Sequence, residues 1–280
     1  MNKNSWPEIE YQDFKMIVSD LDGTLKDVNF PIDPALPKII KQLNQKGILF
    51  TLATGKNLKS TRTSAVYLGI QHPLILSNGC VLQTLEGTVL EKNILPPLFA
   101  AALIEICSEE NIDIAILIDE DIYIREITHH ASILFDYGSP NLVEVREWSS
   151  IDHILPRAHK CIAIERDDRD RLLHLEKRVF NELGSVVEYC HTLVEMLEFM
   201  PRGISKVSGI RSLAKRSGIS LDSVFTMGDG NNDIGMLIEA GSSAAVANAP
   251  QAVRDAADWI IPSCAQNGPR DFLSFFLNNI

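Results

Sequence analysis

Short apolar runs that stop abruptly at polar residues alternate along this chain with stretches of helical spacing. "KMIVSDL" (15–21) is apolar up to Asp20, "DGT" (22–24) has turn chemistry, and "ALPKIIKQLNQKG" (35–47) repeats apolar residues at helical spacing before closing on a glycine. "ILFTLATGK" (48–56) reads as a second strand, "LKSTRTSAVYLGI" (58–70) as a helix and "PLILSNGC" (73–80) as a third strand ending at Asn78-Gly79. This β-α-β-α-β order predicts a parallel sheet with helices on both faces. The grammar returns near the C-terminus: "KVSGIRSLAKRSGI" (206–219) is a helix, "SVFTMGDG" (223–230) a strand and turn, and "NNDIGMLIEAG" (231–241) a helix. "SSAAVAN" (242–248) follows as a short strand and "APQAVRDAADWII" (249–261) as a helix and strand.

The middle is patterned differently. "AILIDEDIYIRE" (115–126), "HKCIAIERD" (159–167) and "GSVVEYCHTLVEMLEFMP" (184–201) alternate as antiparallel strands do, with helix candidates near 96–110 and 168–183 between them. The expected fold class is therefore α/β: a Rossmann-like, doubly wound parallel-sheet core from residues 1–82 and 200–280, carrying an inserted α+β module at 83–199. The apolar faces of the inserted strands read as helix-packing core rather than ligand pocket.

Ligands of open α/β sheets bind beyond the carboxyl ends of the strands. Here those ends carry Asp20 and Asp22, Thr54-Gly55-Lys56, Ser77-Asn78-Gly79, and Gly228-Asp229-Gly230-Asn231-Asn232-Asp233, while Lys206 opens a helix after "PRGIS". Parallel strands would bring all of them to one edge. An isolated Asp-x-Asp reads as a solvated turn; four polar strand ends converging with a lysine do not.

Composition narrows the partners. The net charge of −11, with no run of lysine and arginine, disfavours nucleic acid and anionic membranes. No window approaches the roughly 18 uninterrupted apolar residues of a membrane span, and "MNKNSWPEIEYQDF" has no apolar signal-like segment, so a cytoplasmic location is expected. Cys80, Cys107, Cys161, Cys190 and Cys264 are dispersed without a C-x-x-C pair and read as reduced, core-filling thiols rather than a zinc or disulfide framework. An acidic protein binds phosphate when a divalent cation or a few placed cations reverse the local sign.

"DLDGTL", "ATGK", "SNG", "GISK" and "GDGNND", in this order, resemble the haloacid-dehalogenase-like hydrolase superfamily, and the long insertion resembles the large cap of its Cof-type, sugar-phosphate phosphatase branch. The resemblance implies that Asp20 attacks phosphorus and forms an aspartyl-phosphate, and that Asp22 donates a proton to the leaving oxygen and later takes one from water. It implies Mg²⁺ held by the side chains of Asp20 and Asp229, the backbone carbonyl of Asp22, and Asp233 directly or through water. Thr54, Gly55, Lys56, Lys206 and Asn232 would contact phosphate or substrate. Read alone, Thr54 is a helix N-cap, Lys206 a solvated charge and Asp233 a first-turn helix carboxylate. Relatives carry arginine where this chain has Lys56, which keeps the charge and loses the bidentate fork. In the cap, Arg125, His129, His130 and Arg202 are the polar candidates for substrate contact. The adjacent histidines face apart and read as exposed polar residues rather than metal ligands.

The implied function is hydrolysis of a phosphate monoester of a small phosphorylated metabolite, a sugar phosphate or a phosphoglycerate-type ester such as mannosyl-3-phosphoglycerate, with no nucleic acid or membrane partner. The alternatives are a phosphomutase or phosphotransferase of the same fold and, in another class, a non-catalytic phosphate-sensing protein. The sequence sets no oligomeric state.

Overall fold

In the computed structural model, which describes residues 14–27, 29–136, 138–139 and 142–279, the chain opens with strand β1 (Met16–Ser19), helix α1 (Leu36–Gln45), strand β2 (Leu49–Leu52), helix α2 (Leu58–Leu68) and strand β3 (Leu74–Leu76). Strands β4 (Val81–Gln83) and β5 (Val89–Lys92) follow, then α3 (Phe99–Glu109), β6 (Asp113–Ile118), β7 (Asp121–Ile124), the single turn α4 (Ile133–Asp136), β8 (Leu142–Glu144), β9 (Ala158–Ile164), α5 (Arg169–Leu183), β10 (Val187–Leu193) and β11 (Met196–Pro201). The last third holds α6 (Lys206–Ser217), β12 (Val224–Gly228), α7 (Ile234–Glu239), β13 (Ser242–Val246), α8 (Gln251–Ala256), β14 (Trp259–Ile261) and α9 (Gly268–Asn278). The N-terminal residues read above for signal character lie almost wholly outside the described range.

The central sheet has the order β14-β13-β12-β1-β2 with every pairing parallel. Its strands are apolar because both faces are covered, as parallel sheets require. On one face Leu36 and Ile40 of α1 and Phe272 and Phe276 of α9 close over Ile17, Phe50 and Phe225. Phe225 stacks on Phe272 with ring centroids 5.0 Å apart. On the other face Val207, Ile210 and Leu213 of α6 and Met236 of α7 pack against Met16, Val18 and Val224. The register is what positions the chemistry. Met16 lies opposite both Leu49 and Val224, and Ser19 opposite both Leu52 and Met227. The residues just past β1, β2 and β12 therefore emerge side by side.

The third strand departs from expectation. Rather than extending the parallel sheet, β3 meets it through one parallel bridge, Ala53 to Ile75, and starts a three-stranded antiparallel sheet of order β3-β4-β5. The tight Ser77–Gly79 turn reverses the chain too soon for a crossover, which needs a dozen or more residues.

The inserted segment forms a six-stranded sheet of order β10-β11-β9-β6-β7-β8, antiparallel except at β7–β8. Strand alternation splits its apolar residues between two faces. Ile114, Ile116 and Ile118 pack under α3 and α5 with Leu103, Cys107, Leu172 and Leu175. Ala115, Leu117, Ile122, Ile162, Ile164 and Met196 form a cluster on the opposite side. The expectation of helix-packing core thus holds for one face; the other lines a cavity shared with the ends of β1, β2 and β12. The five cysteines are free thiols. Among the described residues no helix is long and apolar enough to cross a membrane.

Candidate active site

Asp20 follows β1 directly, and its N–H donates to Met227 O at 2.8 Å, which carries the sheet register one residue beyond the strand. Its side chain is turned inward and only 5 % of the residue is exposed, while Leu21 next to it is fully buried in the core. Oδ1 accepts from Lys206 Nζ at 2.5 Å. Oδ2 is buried and has no hydrogen-bond partner among the described residues. Lys206 is the first residue of α6, and its ammonium also donates to Asp233 Oδ1 at 2.7 Å. The sequence alternative of a solvated lysine is excluded, since Lys206 is 1 % exposed.

Lys206 reaches this point because α6 sits directly on the Ser77–Gly79 turn. Gly79 has φ +92°, and a Cβ there would stand 2.0 Å from Ser205 O; a Cβ on Gly209 of α6 would stand 3.3 Å from Gly79 Cα. The first turn of α6 is fixed further by Ser208 Oγ, which accepts from Ser205 N at 2.9 Å.

Asp229 and Asp233 come from the loop after β12. Asp233 Oδ2 accepts from the N–H groups of Asp229 (2.9 Å) and Gly230 (2.8 Å), so both of its oxygens are engaged inside the protein. Asp229 Oδ1 accepts from Thr24 Oγ1 at 2.8 Å. Gly23 has φ +91°, and a Cβ there would lie 2.1 Å from Asp229 Oδ2. Only glycine allows both that backbone conformation and that approach.

Two buried carboxylates, Asp20 and Asp233, therefore share one ammonium, and the half-buried Asp229 stands beside them. Asp20, Asp229 and Asp233 each offer an oxygen within 4.8 Å of the others. Burial pushes the Asp20 carboxyl well above its ordinary range against the pull of Lys206, with Asp233 and Asp229 adding to the rise. Burial and then Asp233 push Asp229 up to about 6. Burial alone would lower Lys206, but Asp20 and Asp233 outweigh it and hold the ammonium above its ordinary value. The cluster is short of positive charge, and its donors are all hard oxygens, one of them orphaned. This set fits a small divalent cation such as Mg²⁺.

The other predicted residues surround this floor. Asp22 keeps about a third of its side chain exposed and pairs with Lys56 at 2.8 Å and Lys26 at 3.3 Å. Burial lowers the Lys56 ammonium, with Asp22 pulling the other way. Thr54 is buried and its Oγ1 accepts from Lys56 N at 3.2 Å. It is not the N-cap of α2, a place taken by Asn57, whose side chain accepts from Ser60 N at 3.0 Å. Asn232 Nδ2 donates to Asn78 Oδ1 at 2.9 Å. Asp20, Asp22, Thr54, Gly55, Lys56, Asp229, Asn232 and Asp233 all line a single cavity of about 540 Å³. Lys206 lies beneath it, behind Asp20.

Sequence reasoning missed the residues that roof this cavity. Lys160 of β9 and Glu198 of β11 pair at 2.7 Å, each almost fully buried. Lys160 Nζ also donates to Gly55 O at 2.8 Å, and Asn78 Nδ2 donates to Glu198 Oε2 at 2.5 Å. Asn248 lines the rim and its Nδ2 donates to Gly23 O at 3.3 Å. The signal for the pair was a charge amid buried apolar strand residues, Lys160 in "HKCIAI" and Glu198 in "MLEFMP". The cap candidates named from sequence are elsewhere. Arg125 and His129 are exposed. His130 accepts from Arg166 N and sits 3.3 Å from Glu165. Arg202 lines a separate cavity between α5 and β10.

A family described as haloacid dehalogenase-like hydrolase matches residues 17–273. An HMP-PP phosphatase of Cronobacter sakazakii is 24 % identical over 93 % of this chain and 94 % of its own length. The pyridoxal phosphate phosphatase YbhA of Escherichia coli is 27 % identical over 88 % of this chain and 93 % of its own. A crystal structure of a haloacid dehalogenase-like hydrolase from Bacteroides thetaiotaomicron superposes with a TM-score of 0.84 at 23 % identity, covering 94 % of this chain and 99 % of that one, which shows the shared fold. With the match running through the Asp20 turn, the Lys206 helix and the Asp229 loop alike, the chain belongs to the haloacid dehalogenase-like hydrolases and is an enzyme of the phosphatase class.

Proposed function

We propose that this enzyme hydrolyses a phosphate monoester of a small metabolite through an aspartyl-phosphate on Asp20, with Mg²⁺ as its cofactor. One observation carries the reading. Asp20 is held by Lys206 through Oδ1 and leaves Oδ2 without a partner among the described residues, on a residue that lines the cavity. A buried carboxylate in that state is aimed and paired on one side and available on the other. In the first step an Asp20 oxygen bonds to phosphorus as the ester P–O bond breaks, and Asp22 gives its proton to the departing oxygen. In the second, Asp22 takes a proton from water as the water oxygen attacks phosphorus. The bond to Asp20 breaks, inorganic phosphate leaves and the carboxylate is restored.

Lys206 balances the charge on Asp20 and on the phosphoryl oxygens, a contribution on the order of a few kcal/mol for electrostatic groups of this kind. Thr54 keeps its hydroxyl hydrogen to donate to a phosphate oxygen, since its oxygen already accepts from Lys56 N. Lys56 pairs with Asp22 and lines the cavity beside it, where a lone ammonium acts as a point charge. The side chains of Asp20 and Asp229 and the backbone carbonyl of Asp22 would hold Mg²⁺, with Asp233 bracing Lys206 and the Asp229 loop. The ion, when bound, screens the charge between carboxylate and phosphate. For the division of labour we propose that residues 1–82 and 200–280 form the catalytic core and 83–199 the cap, the β4–β5 hairpin straddling the first crossing. The cap sheet over the strand ends would limit water around the intermediate.

Colorimetric detection of phosphate from a panel of phosphate monoesters tests the activity, and mass spectrometry of rapidly quenched enzyme tests the nucleophile. The expected result is turnover of small esters, a covalent phosphate at Asp20, and loss of both in Asp20→Asn. A covalent phosphate on a different side chain, or full turnover by Asp20→Asn, overturns the reading.

A further inference from the structure

The Lys160–Glu198 pair is tied into the floor of the site, and the ties run to two groups assigned above to the phosphate. Lys160 Nζ donates to Gly55 O at 2.8 Å. The N–H on the other side of that peptide, from Lys56, donates to Thr54 Oγ1 at 3.2 Å. Glu198 Oε2 accepts from Asn78 Nδ2 at 2.5 Å, and Asn78 Oδ1 accepts from Asn232 Nδ2 at 2.9 Å. Asn78 is 1 % exposed and does not line the cavity, whereas Thr54 and Asn232 do. Its backbone, at φ 56° and ψ 36°, is left-handed, a conformation that asparagine tolerates better than most side chains. Its N–H donates to Thr54 O at 3.0 Å. A Cβ on Gly55 would stand 3.3 Å from Asn78 Oδ1, so the amide lies directly against the end of β2.

We propose, resting on the phosphatase reading above, that Asn78 is a positioning residue of the reaction: together with the cap's Lys160–Glu198 pair it fixes which atoms of Asn232 and Thr54 face the phosphate, without touching the substrate itself.

The argument turns on the sense of each hydrogen bond. A carboxamide has one accepting and one donating end of nearly equal shape. Turned the wrong way, Asn232 would present its carbonyl oxygen to a phosphate oxygen. A carboxylate only accepts, so the NH₂ of Asn78 must face Glu198, and Asn78 Oδ1 must face Asn232. Asn232 then gives one N–H to Asn78 and keeps the second for the cavity. An ammonium only donates, so the Gly55 carbonyl must face Lys160. The Lys56 N–H, on the opposite edge of the peptide, then occupies Thr54 Oγ1 as acceptor, and the hydroxyl hydrogen is left for the phosphate. Two charged groups of unambiguous sense thus orient two groups that lack one. Stability alone does not call for such a pair, since a buried ion pair gains little over apolar side chains of the same volume.

The test measures phosphate release by the full-length enzyme with Mg²⁺ from benzyl phosphate, glucose 6-phosphate and glycerol 1-phosphate, three esters of unlike alcohols. Asn78→Gly suits the left-handed backbone and removes the amide. It should lower kcat/KM at least tenfold, and by the same factor within threefold on every ester that the wild type turns over, because the groups it aims meet the phosphate and not the alcohol. In an Asn232→Ala background the same change should cost less than threefold. A residue that only holds the fold together would cost as much in either background. Glu198→Met should also lose tenfold or more. Glu198→Gln, whose amide oxygen can accept in place of Oε2, should recover most of that loss, a readout that stands even if Asn78→Gly does not fold. Undiminished turnover by Asn78→Gly, losses that differ more than threefold between esters, the full loss persisting in the Asn232→Ala background, or equal losses in Glu198→Met and Glu198→Gln overturns the inference. Release by the wild type from none of the three esters overturns the phosphatase reading itself.

Discussion

Replacing Lys206 by Met removes the one ammonium that joins Asp20 and Asp233 while keeping most of the side-chain volume. Its Nζ lies 2.5 Å from Asp20 Oδ1 and 2.7 Å from Asp233 Oδ1, and the three side chains are 1 %, 8 % and 1 % exposed. Breaking a buried pair by deleting one partner leaves uncompensated charge and costs about 3–5 kcal/mol. The sign with pH follows from which state holds the proton. Burial already holds the Asp20 carboxyl above its ordinary range against the pull of Lys206, and without Lys206 it rises further. The penalty is then fully present at high pH and shrinks as pH falls through that raised folded value, because the folded protein takes up a proton that the unfolded chain does not. Urea unfolding of metal-free wild type and Lys206→Met at pH 7.5 and pH 5.0 should show the larger difference at pH 7.5. Adding Asp233→Asn should recover part of it, since contacting residues couple. Phosphate release should fall by about 10²–10³, the range for a group that stabilises transition-state charge. A destabilisation below about 1 kcal/mol, or one equal at both pH values, would refute the view that Lys206 is the electrostatic keystone of the site.

Further outcomes follow from neighbouring features. Gly23→Ala should lower kcat by about 10² or more, because its Cβ claims the place of Asp229 Oδ2, 2.1 Å away, and a displacement near 1 Å is enough for such a loss; unchanged turnover in a steady-state assay would contradict this. Burial pushes the His159 imidazole down to about 3, so the unfolded chain, with a pKa near 6.5, gains the proton first. Stability should then drop by about 1.4 kcal/mol per pH unit below that value. Denaturation midpoints between pH 6.5 and 4.5 should fall less steeply in His159→Gln, and parallel slopes would count against the assignment. EDTA treatment should cut phosphate release at least tenfold, and added Mg²⁺ should restore it and raise the Tm. Asp229→Asn should abolish that Tm rise, and a rise of the same size in the variant would remove Asp229 from the ion's ligands.

The floor of the site was legible because its information is local. Asp20, Thr54 and Asp229 each sit where an apolar run meets a turn, and a parallel sheet sends such ends to one edge. Lys206 was legible only through its motif; by itself it is a lysine at the start of a helix, and its burial depends on α6 resting on the Ser77–Gly79 turn. The roof was not legible. Lys160 and Glu198 are far apart in sequence, and they meet because β9 and β11 are neighbours in a sheet whose order no periodicity reveals. The antiparallel course of β3 was hidden for a similar reason: three apolar residues fit either kind of sheet. The two apolar faces of the inserted sheet look alike in sequence, and only α3 and α5 on one side decide which face is left for a ligand.

Where α6 meets the Ser77–Gly79 turn, Gly79 rests on the main chain of Ser205 and Gly209, while Gly209 also bears on the Ile75 side chain. Side-chain layers adapt to substitution by changing rotamers, but the main-chain contact at Gly79 has none to change, so it behaves as a hard stop that sets the height of Lys206 above the sheet. The aliphatic part of the roof, Leu117, Ile162 and Met196 among it, has no such stop. Variation that retunes the choice of alcohol can therefore accumulate above the site while positions 79 and 209 stay fixed, and a mutational scan would record the boundary between the two regimes as a step in tolerance between the turn and the cap.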